Sequence, residues 1–183
     1  MIKETMTVPY YRVNTLTGPK SASVIEDPVE LAEIIDRSRN PLYIFGPVAL
    51  AVELEEGLLL KYAIDIAEKL NIPTCATAHV KKKMLELGKT PDSVYDIIEI
   101  INFLKMKDWE GVNGWGQHDL VLITGIRADL AAAGLSTLKH FAPHLKTLTI
   151  CTAGHPHADY TMPVFKKLDK FQKYLENVRE ALS

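Results

Sequence analysis

The sequence predicts an α/β protein built as a three-layer, doubly wound parallel sheet. Two observations predict this fold. Four short apolar segments alternate along the chain with longer segments whose apolar residues recur at helical spacing. The apolar segments hold few polar residues, which is typical of strands that helices cover on both faces of a parallel sheet. Right-handed crossovers between such strands place helices on both sides of the sheet.

The first part of the chain divides into an arm and the start of this domain. Residues 1–26 show no regular period and are predicted to form an N-terminal extended arm, with a free terminus as the alternative. Residues 27–183 are predicted to form a single α/β nucleotide-binding-like domain. Its first elements are a helix from Asp27 to about residue 38, a strand at 42–45, a long helix at 49–70 and a strand at 72–78.

The second part of the domain continues the alternation. Its predicted elements are a short helix at 79–88, a very apolar helix at 90–105, a glycine-rich loop at 105–118, a strand at 119–124, a helix at 128–141, a strand at 145–151, a loop at 152–163 and a terminal helix at 164–182. The order of the elements therefore agrees with helices on both faces of one sheet.

Composition and charge exclude several classes of protein. The chain has 183 residues, of which 47% are hydrophobic and 24% charged, and its formal net charge is −2. A mainly disordered chain is excluded, and we expect no nucleic-acid partner because such proteins usually carry a basic domain. The opening residues lack the apolar core of a signal peptide, and no run of about 20 apolar residues occurs. We therefore expect a cytoplasmic protein with no membrane partner.

The two cysteines, Cys75 and Cys151, are too few for a disulfide framework or for an iron–sulfur cluster held by this chain alone. We expect both to be free thiols. His155, His157 and Asp159 are of the residue types that bind transition metals, but no third imidazole stands at a fixed spacing. Polar loop residues are the better interpretation, so we predict no metal held by this chain and no catalytic residue.

A nucleotide site is predicted at the carboxyl ends of the strands, where doubly wound sheets bind ligands. Small and hydroxylated residues at these ends allow a ligand to approach the backbone, and the helix N-termini that follow offer amides to phosphate. Arg127 adds a permanent cation. The alternative is that these residues only end their strands. The predicted cofactor-binding residues are Gly46, Pro47, Val48, Thr77, Ala78, Thr124, Gly125, Ile126, Arg127, Thr152 and Ala153.

The apolar helix and the loop after it suggest a surface for a partner. The helix at 91–105 is too apolar to face water, and the loop carries Trp109 and Trp115. Tryptophan is enriched at the centres of protein interfaces. The alternative is that the helix is buried within one chain and the tryptophans cover the cleft.

Two resemblances follow from the motifs. The segments 40–47, 70–77 and 118–125 resemble the central domain of thiamine-diphosphate enzymes, which has the deoxyhypusine-synthase-like NAD/FAD-binding fold. In that fold a Gly or Thr at these strand ends faces FAD or NAD. The segments 135–143 and 156–163 are similar, with 40–47, to the epsilon subunit family of the archaeal acetyl-CoA decarbonylase/synthase (carbon monoxide dehydrogenase) complex. This second resemblance covers nearly the whole chain.

The epsilon-subunit resemblance implies an accessory, non-catalytic role in acetyl-CoA metabolism, in methanogenesis or autotrophic carbon fixation. It implies an alpha subunit that carries the nickel–iron–sulfur chemistry and forms an alpha2epsilon2 unit with this chain. It further implies that the chain stabilises that subunit or helps electron transfer to FAD during CO oxidation. A stand-alone FAD- or NAD-binding oxidoreductase and a nucleotide-sensing module are the alternatives. A homo-oligomer is one form expected of the isolated chain.

Overall fold

The computed structural model describes residues 21–182. The strands are β1 (Ser23–Val24), β2 (Pro41–Phe45), β3 (Glu53–Leu54), β4 (Gly57–Leu58), β5 (Thr74–Ala76), β6 (Ser93–Val94), β7 (Leu120–Thr124), β8 (Lys146–Thr149) and β9 (Tyr160–Thr161). The helices are α1 (Pro28–Asp36), α2 (Leu59–Lys69), α3 (Ala78–Glu86), α4 (Ile97–Lys105), α5 (Ala128–Phe141) and α6 (Leu168–Ala181). Among residues 21–182, no helix has the length and apolar character needed to cross a membrane.

Seven of the strands form one parallel sheet in the order β1-β9-β8-β7-β2-β5-β6. The strands β3 and β4 form a separate antiparallel hairpin. After β2 the chain adds β5 and then β6 on one side, and it then returns to add β7 and β8 on the other side. The order of the strands therefore reverses between β2 and β7, which is the switch point of a doubly wound sheet.

Two apolar layers cover the sheet because neighbouring residues of each strand point to opposite faces. In β2, Tyr43 and Phe45 belong to the core beneath α1, α2, α3 and α6, whereas Leu42 and Ile44 belong to the core beneath α4 and α5. This arrangement confirms the predicted three-layer, doubly wound α/β fold. The closer likeness to the deoxyhypusine-synthase-like fold stays a prediction.

The predicted helix at 49–70 is wrong in its first half. A 3-10 turn at Pro47–Leu50 and the β3–β4 hairpin precede α2, which begins at Leu59. Gly57 lies beside the hairpin turn with φ of +126°, a conformation that side chains rarely adopt. Glycine also destabilises a helix by about 1 kcal/mol relative to alanine. The helix therefore begins only after Gly57, although the apolar spacing starts earlier in the sequence.

The predicted helix at 90–105 begins later than the sequence suggested. Ser93 and Val94 form β6, and α4 begins only after Asp96. The Asp96 side chain accepts from the amide of Ile98 at 2.9 Å, and Glu99 reaches back to the amide of Asp96. This capping box fixes the start of α4.

Besides the β3–β4 hairpin, three two-residue strands of the parallel sheet, β1, β6 and β9, were not predicted. Ser23 and Val24, at the end of the predicted arm, pair with Tyr160 and Thr161 inside the predicted loop at 152–163. A two-residue strand is too short to show a period. Residues 1–20 of the predicted arm lie outside the described residues, and the division into an arm and one domain stays a prediction.

Candidate functional site

The two central strands end on glycines that contact each other. The amide of Gly46 donates to the carbonyl of Thr124, and the amide of Val48 donates to the carbonyl of Gly125, each at 2.8 Å. A Cβ atom on Gly46 would lie 2.4 Å from the Gly125 oxygen, and one on Gly125 would lie 2.4 Å from the amide nitrogen of Ala49. Both glycines are therefore required by the direct approach of the two strand ends.

The end of β5 lies beside this contact. The amide of Thr77 donates to the carbonyl of Phe45 at 3.2 Å. The hydroxyl oxygen of Thr77 is buried, and among residues 21–182 it has no hydrogen-bond partner. Thr77 also precedes α3, and its side chain makes no capping hydrogen bond to the first amides of this helix, which begins at Ala78.

The end of β7 carries an exposed ion pair. The Arg127 guanidinium donates to both carboxylate oxygens of Asp129, at 2.6 and 2.7 Å. These hydrogen bonds lower the pKa of Asp129 to about 2. Helix α5 starts after Arg127 without a side-chain cap, and Asp129 places a negative charge in its first turn. The neighbouring Ile126 is buried against Gly46.

The remaining predicted site residues divide between the interior and the surface. The Thr124 hydroxyl lies in the core, 2.7 Å from the hydroxyl of Tyr43. Thr152 and Ala153 are half-buried after β8, and the Thr152 carbonyl accepts from the amide of Phe165 at 2.9 Å. Pro47 and Val48 are exposed. The structure thus brings the ends of β2, β5 and β7 together and leaves the Thr124 side chain in the core.

The β5 side of this edge offers donors of the kind that bind phosphate. They are the buried hydroxyl of Thr77, which has no partner among residues 21–182, and the first amides of α3, which Thr77 does not cap. The gap between β2 and β7, where such sheets usually bind a ligand, is instead filled by the contact between Gly46 and Gly125.

The loop after β8 holds two buried histidines. Burial is the main cause that lowers the pKa of His155 to about 4, and electrostatic repulsion from His157 lowers it further. Asp159, the predicted third member of this set, accepts from Lys146 Nζ and from the amide of Thr147, each at 3.0 Å. Within residues 21–182, no three His, Cys, Asp or Glu side chains lie close enough together to hold a metal ion. Cys75 and Cys151 are both free thiols, as predicted.

A cavity of about 260 Å³ lies at the opposite, amino end of the sheet. Its lining combines apolar side chains of α2 and α3 with the charged residues Glu68, Lys89 and Asp92 and the indole of Trp115. Sequence reasoning missed this site because its residues come from separate segments and form no motif. Of these residues, the sequence singles out only Trp115, as part of an interface or as a cover over the cleft.

The loop at 106–118 presents Trp115 in a fixed position. The side-chain amide of Asn40 donates to the carbonyls of Gly116 and Gln117 at 3.0 and 3.1 Å. The amide of Val112 donates to Nε2 of His118 at 3.1 Å, so the proton of this ring is on Nδ1, which donates to the carbonyl of Asn40 at 3.1 Å. Burial lowers the pKa of His118, which favours the neutral form of the ring.

The two tryptophans of this loop have different surroundings. Trp109 stacks on Phe103 of α4, with ring centroids 5.6 Å apart, and lies 5.8 Å from His118. Trp115 is 59% exposed. The apolar face of α4 is buried in the chain, apart from Ile98. Of the residues predicted to contact a partner, Trp115 is therefore exposed, whereas Trp109 and most of the apolar face of α4 pack within the chain.

Known proteins resemble this chain over nearly its full length. It is 38% identical over 168 residues to the acetyl-CoA decarbonylase/synthase complex subunit epsilon of Methanothermobacter thermautotrophicus, and the alignment covers 92% of each chain. It is 32% identical over 153 residues to the subunit of the same name from Methanothrix soehngenii, covering 82% of this chain and 78% of the relative. Identity to subunit epsilon 1 of Archaeoglobus fulgidus is 32% over 157 residues, covering 85% and 80%. Because residues 3–182 also match the family itself, the chain belongs to the CO dehydrogenase beta subunit/acetyl-CoA synthase epsilon subunit family.

Proposed function

We propose that this chain is an accessory, non-catalytic subunit of an acetyl-CoA decarbonylase/synthase complex and that it stabilises the nickel–iron–sulfur alpha subunit in an alpha2epsilon2 unit. The observation that carries the proposal is similarity over nearly the full length to proteins named as epsilon subunits of that complex. The free thiols of Cys75 and Cys151 agree with a cytoplasmic location, since disulfides form mainly in oxidising compartments.

Co-expression with the alpha subunit of the same organism tests this role. We expect the two chains to co-purify and to sediment as a unit with two copies of each. The alpha subunit should also lose CO-oxidising activity more slowly on heating when this chain is bound, because a ligand that binds only the folded state stabilises it. Sedimentation of the isolated chain alone shows whether it forms a homo-oligomer. Two chains that sediment separately would contradict the proposal.

We further propose that a dinucleotide, FAD before NAD, binds over the carboxyl ends of β2 and β5. Its support is the buried hydroxyl of Thr77, which has no partner among the described residues, beside the N-terminus of α3, which Thr77 does not cap. Thr77 and the amides after it would hold phosphate, Arg127 and Thr152 lie at the neighbouring strand ends, and exposed Val48 offers an apolar contact. When bound, FAD supplies a group that can accept electrons released by CO oxidation.

Titration of FAD and NAD into the isolated chain and into the complex tests the cofactor proposal. We expect FAD fluorescence to be quenched and the heat of binding to be measurable for FAD. The same samples test the stand-alone oxidoreductase, which requires turnover of NADH or reduced flavin by the isolated chain. We expect no turnover. Absence of FAD binding at high micromolar concentration by both samples would overturn the cofactor proposal and leave the accessory role standing.

A further inference from the structure

The cavity at the amino end of the sheet, about 260 Å³ in volume, combines an apolar base with a charged rim. Ile64 of α2 and Met84 of α3 are buried side chains in its lining. The volume is below the range of about 300–1,000 Å³ that is usual for small-molecule sites. A cavity of this size suits one long side chain of a protein partner.

The charges of the lining select a cation. Glu68 and Asp92 contribute two carboxylates, whereas Lys89 contributes one ammonium group, which pairs with Glu68. One oxygen of Asp92 accepts from the amide and hydroxyl of Thr74, at 2.8 and 3.0 Å. Its other oxygen accepts only from the side-chain amide of Asn113, at 3.1 Å, among the hydrogen bonds of residues 21–182. This carboxylate is therefore held in place and keeps capacity for a further donor.

The indole of Trp115 completes the site. It lines the cavity although 59% of the residue is exposed. Asn40 and His118 hold the loop that carries it. A loop that is already ordered loses little conformational entropy when a partner binds. Cations are attracted to the face of an indole, and a guanidinium group also stacks on it.

We infer that this cavity receives an arginine side chain of the alpha subunit, an inference that rests on the proposed function. The aliphatic stem of arginine matches the apolar base formed by Ile64 and Met84. Its planar guanidinium matches Trp115 and can donate to Asp92. Lysine fits less well because an ammonium group is more strongly hydrated and does not stack.

A side-chain probe tests the site in the isolated chain. N-acetyl-arginine amide is titrated, and the indole NMR signal of Trp115 is followed. N-acetyl-citrulline amide is the matched control, because it keeps the shape of arginine and lacks the charge. We expect millimolar binding of the arginine probe and at least tenfold weaker binding of citrulline. Equal binding of the two probes, or no shift with either, would overturn the inference.

Two substitutions with opposite expected signs sharpen this titration. Glu68→Gln removes a carboxylate and should weaken binding of the arginine probe about threefold or more. Lys89→Ala removes the only ammonium group that the lining contains among the described residues, and it should tighten the binding. Both side chains are near half exposed, so neither change should unfold the chain. A change of the same sign in both variants would contradict the electrostatic argument.

Assembly with the alpha subunit tests the identity of the partner. Trp115→Ala should weaken association about 30-fold or more, the factor expected for one interface hot spot. Phe141→Ala is the matched control, because Phe141 is 69% exposed and does not line the cavity. Wild-type association of Trp115→Ala would overturn the inference and leave the accessory role intact. If the wild-type chain itself fails to bind the alpha subunit, the proposed function falls, and the probe titration still decides whether the cavity selects a guanidinium group.

Discussion

The two ends of the parallel sheet differ in what their residues contact. At the carboxyl end, Gly46 and Gly125 bring the backbones of β2 and β7 together, so the usual ligand gap is filled by the chain itself. At the amino end, a cavity of about 260 Å³ lies beside the exposed Trp115. A glycine at a strand end therefore indicates that the backbone is in close contact with a neighbour. The glycine alone does not distinguish a ligand from an adjacent strand.

The largest expected effect follows from the contact at the carboxyl end. Gly125→Ala should lower the free energy of unfolding by about 3 kcal/mol, because it combines a strained backbone conformation with an overlap against Ala49. The φ of Gly125 is +70°, and its added Cβ atom would lie 2.5 Å from Cβ of Ala49. Urea denaturation of both proteins measures the difference.

Gly114→Ala is the matched control for this substitution. Gly114 has the same φ of +70°, but among residues 21–182 no atom beyond its two chain neighbours lies within 4 Å of its added Cβ. It should lose only about 1 kcal/mol, the cost of the backbone conformation alone. Equal losses in the two variants would show that the strand ends at Gly125 are not in close contact in solution.

The fold could be predicted where a pattern was long enough to show a period. Helix α5, at Ala128–Phe141, has the predicted bounds, and the buried strands β2 and β7 differ from their predictions by one residue. The errors lie where short elements replace part of a predicted helix or loop. Strand β6 has two residues, and Val94, which lies within the predicted helix at 90–105, instead pairs with Ala76. Tertiary pairing decides such segments, and no local signal reports it.

The second prediction compares the two tryptophans at the amino end. Trp109→Ala should lower the free energy of unfolding by about 2–3 kcal/mol, because it removes the stacking on Phe103 and the contact with His118. Trp115→Ala should change it by less than about 0.5 kcal/mol, as is usual for an exposed side chain. Thermal and urea unfolding of the two variants measures the contrast. An equal loss in both would mean that Trp115 is part of the core and unsuited to bind a partner.

The third prediction uses pH and the histidines of the two ends. His155 follows β8 at the carboxyl end, and its pKa is lowered to about 4 in the folded chain from 6.5. The unfolded chain therefore takes up a proton near pH 6.5 that the folded chain refuses until about pH 4. The contribution of His155 to the free energy of unfolding is fully present above about pH 6.5. It decreases as the pH falls, by about 2 kcal/mol between pH 7 and pH 5.

Variants separate the contributions of the two ends to this slope. His155→Gln should remove most of the decrease between pH 7 and pH 5. His118 lies before β7 at the amino end, and His118→Gln should remove a smaller part. Burial lowers the pKa of His118 too, but its hydrogen bonds to the backbone of Asn40 and Pro41 raise that pKa and oppose the shift. Urea denaturation at several pH values gives both slopes. A wild-type slope that persists in His155→Gln would assign the pH dependence elsewhere.

The candidate sites were less predictable than the fold, for a reason that particular residues illustrate. The sequence pointed to Thr124 because a hydroxyl at a strand end can meet a ligand, but this hydroxyl contacts Tyr43 in the core. The amino-end cavity joins Glu68, Asp92 and Trp115, which are separated along the chain by more than 20 residues each. Only the assembled sheet brings them together, so no spacing in the sequence marks them.

The smallest expected effect distinguishes the two ends of a single strand, β5. Thr77→Val removes the buried hydroxyl that has no partner in the described chain, and it should raise the free energy of unfolding of the ligand-free chain by about 1 kcal/mol. Thr74→Val is the matched control at the other end of β5. Its hydroxyl donates to Asp92 at 3.0 Å, so its loss should cost about 1 kcal/mol. If the free energy of unfolding rises in Thr77→Val and falls in Thr74→Val, the Thr77 hydroxyl destabilises the ligand-free chain, as expected of a residue that binds a ligand. Thr77→Val should then also bind FAD at least tenfold more weakly. Two losses of equal size would show that Thr77 has a structural partner and would remove the main support for a cofactor at the carboxyl end.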